Sequence, residues 1–188
     1  YLTVNWKLPD TSDPVLNFSF QILGHALIGT PASPLRKALV DSGLGEDLAG
    51  LGLETELREM IFSTGLKGTR ARHAKKIEKL IIETLQNLVR DGIDPEMIAA
   101  SINTLEFQLR ENNTGGFPRG IAVMLRSLTT WLHDADPFSM LTFETPMNEI
   151  KSKLASDSRY FEKMIQTYLL DNNHKTVIRF KPDPELGK

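Results

Sequence analysis

Four histidines, His25, His73, His133 and His174, are the residues of this chain best suited to metal or acid–base chemistry. A zinc hydrolase built on one helix needs two imidazoles four residues apart. A glutamate between them then serves as base for the metal-bound water. No histidine here has a second one four residues away. His25 is followed by Ala26, Leu27, Ile28 and Gly29, with no carboxylate near. It reads as a satisfied polar residue on a core helix. The chain has no cysteine, which excludes thiolate metal sites and a disulfide scaffold. Nucleophile patterns are no better. Ser33 precedes a proline in a capping position, and neither Ser63 nor Ser139 sits in a Gly-x-Ser-x-Gly elbow. The glycines of TGGFPRG, residues 114–120, do not match a phosphate loop, and Pro118 removes one donor. That stretch reads as a helix break.

The most suggestive local feature is basic. Lys67, Arg70, Arg72, Lys75 and Lys76 lie together with His73 in residues 67–76. Positive charge at a helix N-terminus is unfavourable by roughly 0.3–1 kcal/mol, so a partner would offset it. One reading is an electropositive lining that attracts acidic or C-terminal carboxylate groups of a peptide. Another is an interface with an acidic partner domain, and the plainest is a solvated face. Nucleic acid is a poor fit, because the run is short, lacks interleaved aromatics and sits in a protein of net charge −2.

These residues are carried by well-marked elements. Residues 1–7 alternate, with Leu2, Val4 and Trp6 on one side and Thr3 and Asn5 on the other, as in a half-buried strand ended by Pro9. Asp13-Pro14 then starts a helix whose stripe is Val15, Phe18, Ile22, His25 and Ala26. Ser33-Pro34 starts a short helix, with Ser33 as the expected cap, Leu35, Ala38 and Leu39 inside, and Gly43 as the left-handed exit. A glycine-rich passage covers residues 43–53, and a long strand is expected over residues 56–67. Its faces are not cleanly sorted, as in a strand covered on both sides or beside a cavity.

A strong amphipathic helix follows over residues 71–90, with Ile77, Leu80, Ile81, Leu85 and Leu88 inside and Asp91-Gly92 ending it. Asp94-Pro95 starts another, carrying Ile98, Ile102, Leu105 and Leu109. Residues 118–133 read as a helix with Ile121, Met124, Leu125, Leu128, Trp131 and Leu132 buried. Thr145-Pro146 starts the next, and Asp157 is expected to cap the last, which carries Phe161, Met164, Ile165, Tyr168 and Leu169. Residues 175–181 form a closing strand. Strands and helices are segregated, so we expect an α+β domain whose antiparallel or mixed sheet holds both the first and the last strand.

The 188 residues suffice for one domain over residues 1–188, and 40% hydrophobic with 24% charged residues is ordinary for a soluble globular protein. No apolar run approaches the ~20 residues of a membrane span. The sequence opens inside a strand-like stretch with no Met, which we read as a fragment of a longer protein.

Several words of this sequence occur in a recognisable order: LTVNWKLPD at residues 2–10, GTPASPLRKALVDSGLG at residues 29–45, FSTGLKG at residues 62–68 and HKTVIRFKPDPE at residues 174–185. Together they resemble a homology domain of the pitrilysin/insulinase superfamily of zinc metallopeptidases, in its presequence-peptidase branch. The resemblance is to the second, non-catalytic domain, and it is weaker over residues 69–170. It implies an antiparallel sheet backed by helices, no metal in this domain, and zinc in the catalytic domain of a longer parent protein. It further implies a part of the wall of a chamber in which unfolded oligopeptides are degraded. The implied partners are the other parent domains and the peptide, with neither nucleic acid nor membrane. The implied setting is a bacterial cytoplasm or an organelle matrix. No catalytic residue of the family has a matching position here. The alternative is a stand-alone scaffold subunit, like the non-peptidase core subunits of the same superfamily.

Overall fold

The computed structural model describes residues 1–112, 114–183 and 185. Four strands form one antiparallel sheet among these residues: β1 (Leu2–Asp10), β2 (Asp47–Glu54), β3 (Glu59–Lys67) and β4 (Lys175–Arg179), in the order β2-β3-β1-β4. The first and last strands are therefore neighbours, as expected, with Val4 opposite Val177 and Trp6 opposite Lys175. The alternation read in β1 sorts the sheet. Leu2, Val4, Trp6 and Leu8 are buried together with Met60, Phe62 and Leu66 of β3. Thr3, Asn5 and Lys7 point to the other face, where they are half-buried or exposed. Trp6 anchors the packed face. It pairs in register with Phe62 at a ring separation of 5.9 Å, and its indole N–H donates to Leu169 O at 2.8 Å.

Helices cover that packed face. α1 (Pro14–Gly24) starts as read, with Asp13 Oδ1 accepting from Leu16 N at 3.0 Å. Its last turn, His25–Gly29, widens to a π turn. Gly29 leaves room there for the His25 ring, from which a Cβ would lie 2.7 Å. α2 (Pro34–Asp41) ends at Gly43 with φ of 63°, but its start differs from expectation. Ser33 makes no capping bond to the helix. Its buried hydroxyl donates back to His25 O at 3.2 Å and accepts from Thr30 N at 3.0 Å. The hydroxyl therefore closes the turn after α1 instead of satisfying α2.

The glycine-rich passage contains strand β2. Between Ala49 and Gly52 its pairing with β3 shifts register, and Gly50 and Gly52 both have positive φ. A Cβ on Gly50 would lie 2.6 Å from Ser63 O, so the glycines let a bulged strand approach its neighbour. β3 starts at Glu59, later than the periodicity places it, because residues 55–58 are consumed by the turn from β2.

α3 (Ala74–Asp91) and α4 (Pro95–Glu111) join through Gly92, at φ 97° and ψ 158°, and Asp94 caps α4 by accepting from Glu96 N at 2.9 Å. Buried Glu162 accepts from Ile93 N at 2.8 Å, and Arg159 donates to Val89 O. These residues flank the start of α7 (Tyr160–Ile165), whose last turn continues to Leu170. Asp157 stands before that helix and accepts from Arg159 N, so the cap position falls to Arg159. α6 (Glu144–Ser156) packs Met147 and Ile150 into the core.

α5 (Arg119–Trp131) departs most from expectation. Ile121, Met124, Leu125, Trp131 and Leu132, read as buried, are exposed, Trp131 by 63% and Leu132 by 71%. Periodicity reports that a helix has an apolar side, and it does not report whether the same polypeptide covers that side. At the end of α5 the chain folds back on the helix's last turn. Thr130 Oγ1 donates to Asp136 O at 2.9 Å, and a cavity of about 410 Å³ touching Phe18, Leu105, Leu109 and Leu125 lies beneath it.

Candidate functional site

The basic cluster is divided by the end of β3. Lys67 is the last residue of that strand and pairs with Asp47 of β2 at 3.0 Å. The Asp47 contact raises the Lys67 pKa, and the lysine, followed by the Leu48 N–H, lowers that of Asp47. Gly68, at φ 64°, then turns the backbone away. Arg70, in the loop before α3, lines a cavity of about 300 Å³ together with Arg179 and Lys181. Arg72 Nε donates to His73 Nε2 at 3.4 Å. Lys75 and Lys76 are exposed on α3. Of the five cations, one is thus neutralised within the sheet, one lines a cavity and three face outward.

Two of the histidines, His25 and His73, are engaged separately. Ser101 Oγ donates to Met97 O at 2.8 Å, so at 2.9 Å it accepts from His25 Nδ1, which fixes the imidazole tautomer. His73 Nδ1 donates to Leu44 O at 3.3 Å. Among the described residues no three His, Cys, Asp or Glu side groups converge as a metal site.

The second face of the sheet carries polar residues bonded to one another, beside Ile61 and Ile178. Ser63 Oγ donates to Asn5 Oδ1 at 2.7 Å, while Asn5 Nδ2 donates to Thr3 Oγ1 at 3.1 Å and to Thr176 O at 3.3 Å. One side-chain amide thus ties β1, β3 and β4 together. Lys7 and Glu59 pair at 2.9 Å on the same surface. Alternation in β1 foretells which residues lie here. The links to Ser63 and Thr176 depend on register, which no local pattern carries. Arg179 and Lys181 were likewise missed, lying more than 100 positions from Arg70 in the sequence.

A four-stranded antiparallel sheet backed on one face by helices defines the segregated α+β class of domain. The chain belongs to the peptidase M16 inactive domain family, whose match covers residues 1–105. It is 43% identical over 187 residues to presequence protease 1, chloroplastic/mitochondrial, of Arabidopsis thaliana, covering 98% of this chain and 17% of that protein. It is 34% identical over 188 residues to protein HypA of Clostridium perfringens, covering 100% of this chain and 19% of that one. The chain therefore spans less than a fifth of these relatives. The fold is shared with the inactive peptidase domain of a Bordetella parapertussis protein, at a TM-score of 0.74 and 16% identity over 98% of this chain and 93% of that one. A peptidase M16 inactive domain from Pseudomonas fluorescens matches at a TM-score of 0.61 and 13% identity, over 96% and 42% of the two chains.

Proposed function

We propose that this chain is the non-catalytic second domain of a longer zinc metallopeptidase that degrades unfolded oligopeptides, and that it forms part of the chamber wall. The observation that carries this reading is the one-sided sheet. Helices seal one face with buried apolar residues, while Thr3, Asn5 and Lys7 furnish the other with polar groups already engaged in local bonds. Such a surface can border a wet space without collapsing onto its contents. Its selectivity is steric, excluding folded proteins by the dimensions of the enclosure. The exposed apolar side of α5 supports the same reading, as the place where another domain of the parent packs. Zinc belongs, in this proposal, to the parent's catalytic domain. The chloroplast, mitochondrial and bacterial relatives support an organelle matrix or a bacterial cytoplasm as the setting.

The test narrows the enclosure from this face. Thr3 and Ile178 are register partners on the polar side of the sheet. Thr3→Trp combined with Ile178→Trp, made in the full-length peptidase, is expected to lower kcat/KM about tenfold for peptides of some twenty residues, equivalent to ~1.4 kcal/mol. A short fluorogenic peptide should be cut at the original rate. Equal effects on both substrates, or no effect on either, would overturn the wall role.

A further inference from the structure

The cations in and around the sheet fall into a paired and an unpaired set. Lys7, Lys67 and Lys175 each have a carboxylate partner, at 2.9, 3.0 and 3.2 Å. Arg70, Arg179 and Lys181 have none among the described residues, yet all three line the same cavity of about 300 Å³. Among the described residues no carboxylate contributes to its lining. Two described acids near these cations in the chain or in space make other contacts. Asp183 Oδ1 accepts from Glu185 N at 2.9 Å, and Glu46 lies against Gly68, where it acts on Lys67.

Two further features mark the cavity. Thr69 contributes to its lining, and its hydroxyl is buried with no hydrogen-bond partner among the described residues. The first turn leading into α3 supplies Ala71 and Ala74, so the positive end of an 18-residue helix lies alongside. The remaining described lining is Tyr1, whose N–H donates to Phe180 O at 3.1 Å, and the apolar Leu2, Phe180 and Pro182. A lone inorganic anion would use the cations and leave that surface untouched. A carboxylate attached to an apolar residue would use both, because guanidinium groups hold carboxylates through paired N–H donors.

We propose that this cavity binds a peptide carboxylate, held by Arg70 and Arg179 with Lys181 at the rim, and seats the adjoining apolar residue against Leu2, Ala74 and Phe180. The source of the carboxylate is either the free C-terminus of the peptide or one of its acidic residues. The site extends the peptide-chamber reading, and its test is separate, since binding to the 188-residue protein is measured without any hydrolysis.

Three short peptides serve as probes: Ac-Ala-Gln-Phe with a free C-terminus, Ac-Ala-Glu-Phe-amide, and Ac-Ala-Gln-Phe-amide, which has no carboxylate. Their affinities are read from amide chemical shifts of the 188-residue protein at low salt. At least one of the first two should bind about tenfold more tightly than the third, with shifts concentrated in residues 69–74 and 179–181. Which of the two binds identifies the source. Arg70→Ala and Arg179→Ala should each weaken binding about fivefold or more, and Thr69→Val measurably, all with unchanged thermal unfolding. Lys75→Ala, outside the cavity, should leave it unchanged. Equal affinity for all three peptides, insensitivity to the arginine substitutions, or equal shifts from inorganic phosphate alone would overturn the assignment.

Discussion

Trp6 shows how much one residue carries in this molecule. It is fully buried, packs on Phe62 and spends its only side-group donor on Leu169 O. Trp6→Ala should cost about 3–5 kcal/mol in chemical denaturation, since it leaves a cavity and a buried carbonyl without its partner. Glu162 is a second such residue. It answers the N–H of Ile93 from across the molecule, so Glu162→Ala should destabilise by about 1–3 kcal/mol. Asp157 makes a pH-dependent contribution. The Lys163 ammonium, then the Arg159 N–H, lower its pKa in the folded state. A lowered carboxyl pKa stabilises above the unfolded value, and that stability is lost as pH falls through the folded one. The unfolding midpoint of Asp157→Asn should therefore lie below that of the unaltered protein at pH 7, and the two should converge by a pH of about 2.

Among the elements, α5 and α3 make the sharpest contrast. Both are amphipathic by pattern, yet Ile77, Ile81 and Leu85 of α3 are fully buried while the stripe of α5 faces outward. Leu85→Ala should cost about 2–5 kcal/mol and Trp131→Ala less than about 0.5, measured on the 188-residue protein. Amide exchange should follow the same division. The amides of α5 should exchange through local opening well before those of α1 and α3, because little apolar burial holds that helix down. β2 teaches the converse lesson. Its glycines read as loop signals, yet they are what allow a bulged strand to lie against Ser63.

At the scale of the whole molecule, a single core joins the sheet to α1, α2, α3, α4, α6 and α7, and α5 stands beside it over a cavity. Reactive groups are dispersed across this body, and His25 and His73 are held by separate local bonds. We therefore expect the 188-residue protein, purified in excess zinc and then dialysed, to retain no equimolar metal, and to leave an oligopeptide uncut. Stoichiometric zinc by metal analysis, or cleavage abolished by a chelator, would contradict that expectation.

Strand alternation in β1, the Asp13-Pro14 and Asp94-Pro95 helix starts and the Gly43 and Gly92 exits were all legible in the sequence, because each depends on residues within one or two turns of one another. The family resemblance was legible for the same reason, through short words in order. Tertiary structure alone decided three matters. It turned the Ser33 hydroxyl back toward His25, it left the apolar side of α5 uncovered, and it separated Lys67 from Arg70 while bringing Arg179 and Lys181 to the latter. Each is settled by packing or register, which brings groups together or keeps them apart regardless of local pattern. Periodicity records what a residue is able to do, whereas the folded surroundings determine what it finds there.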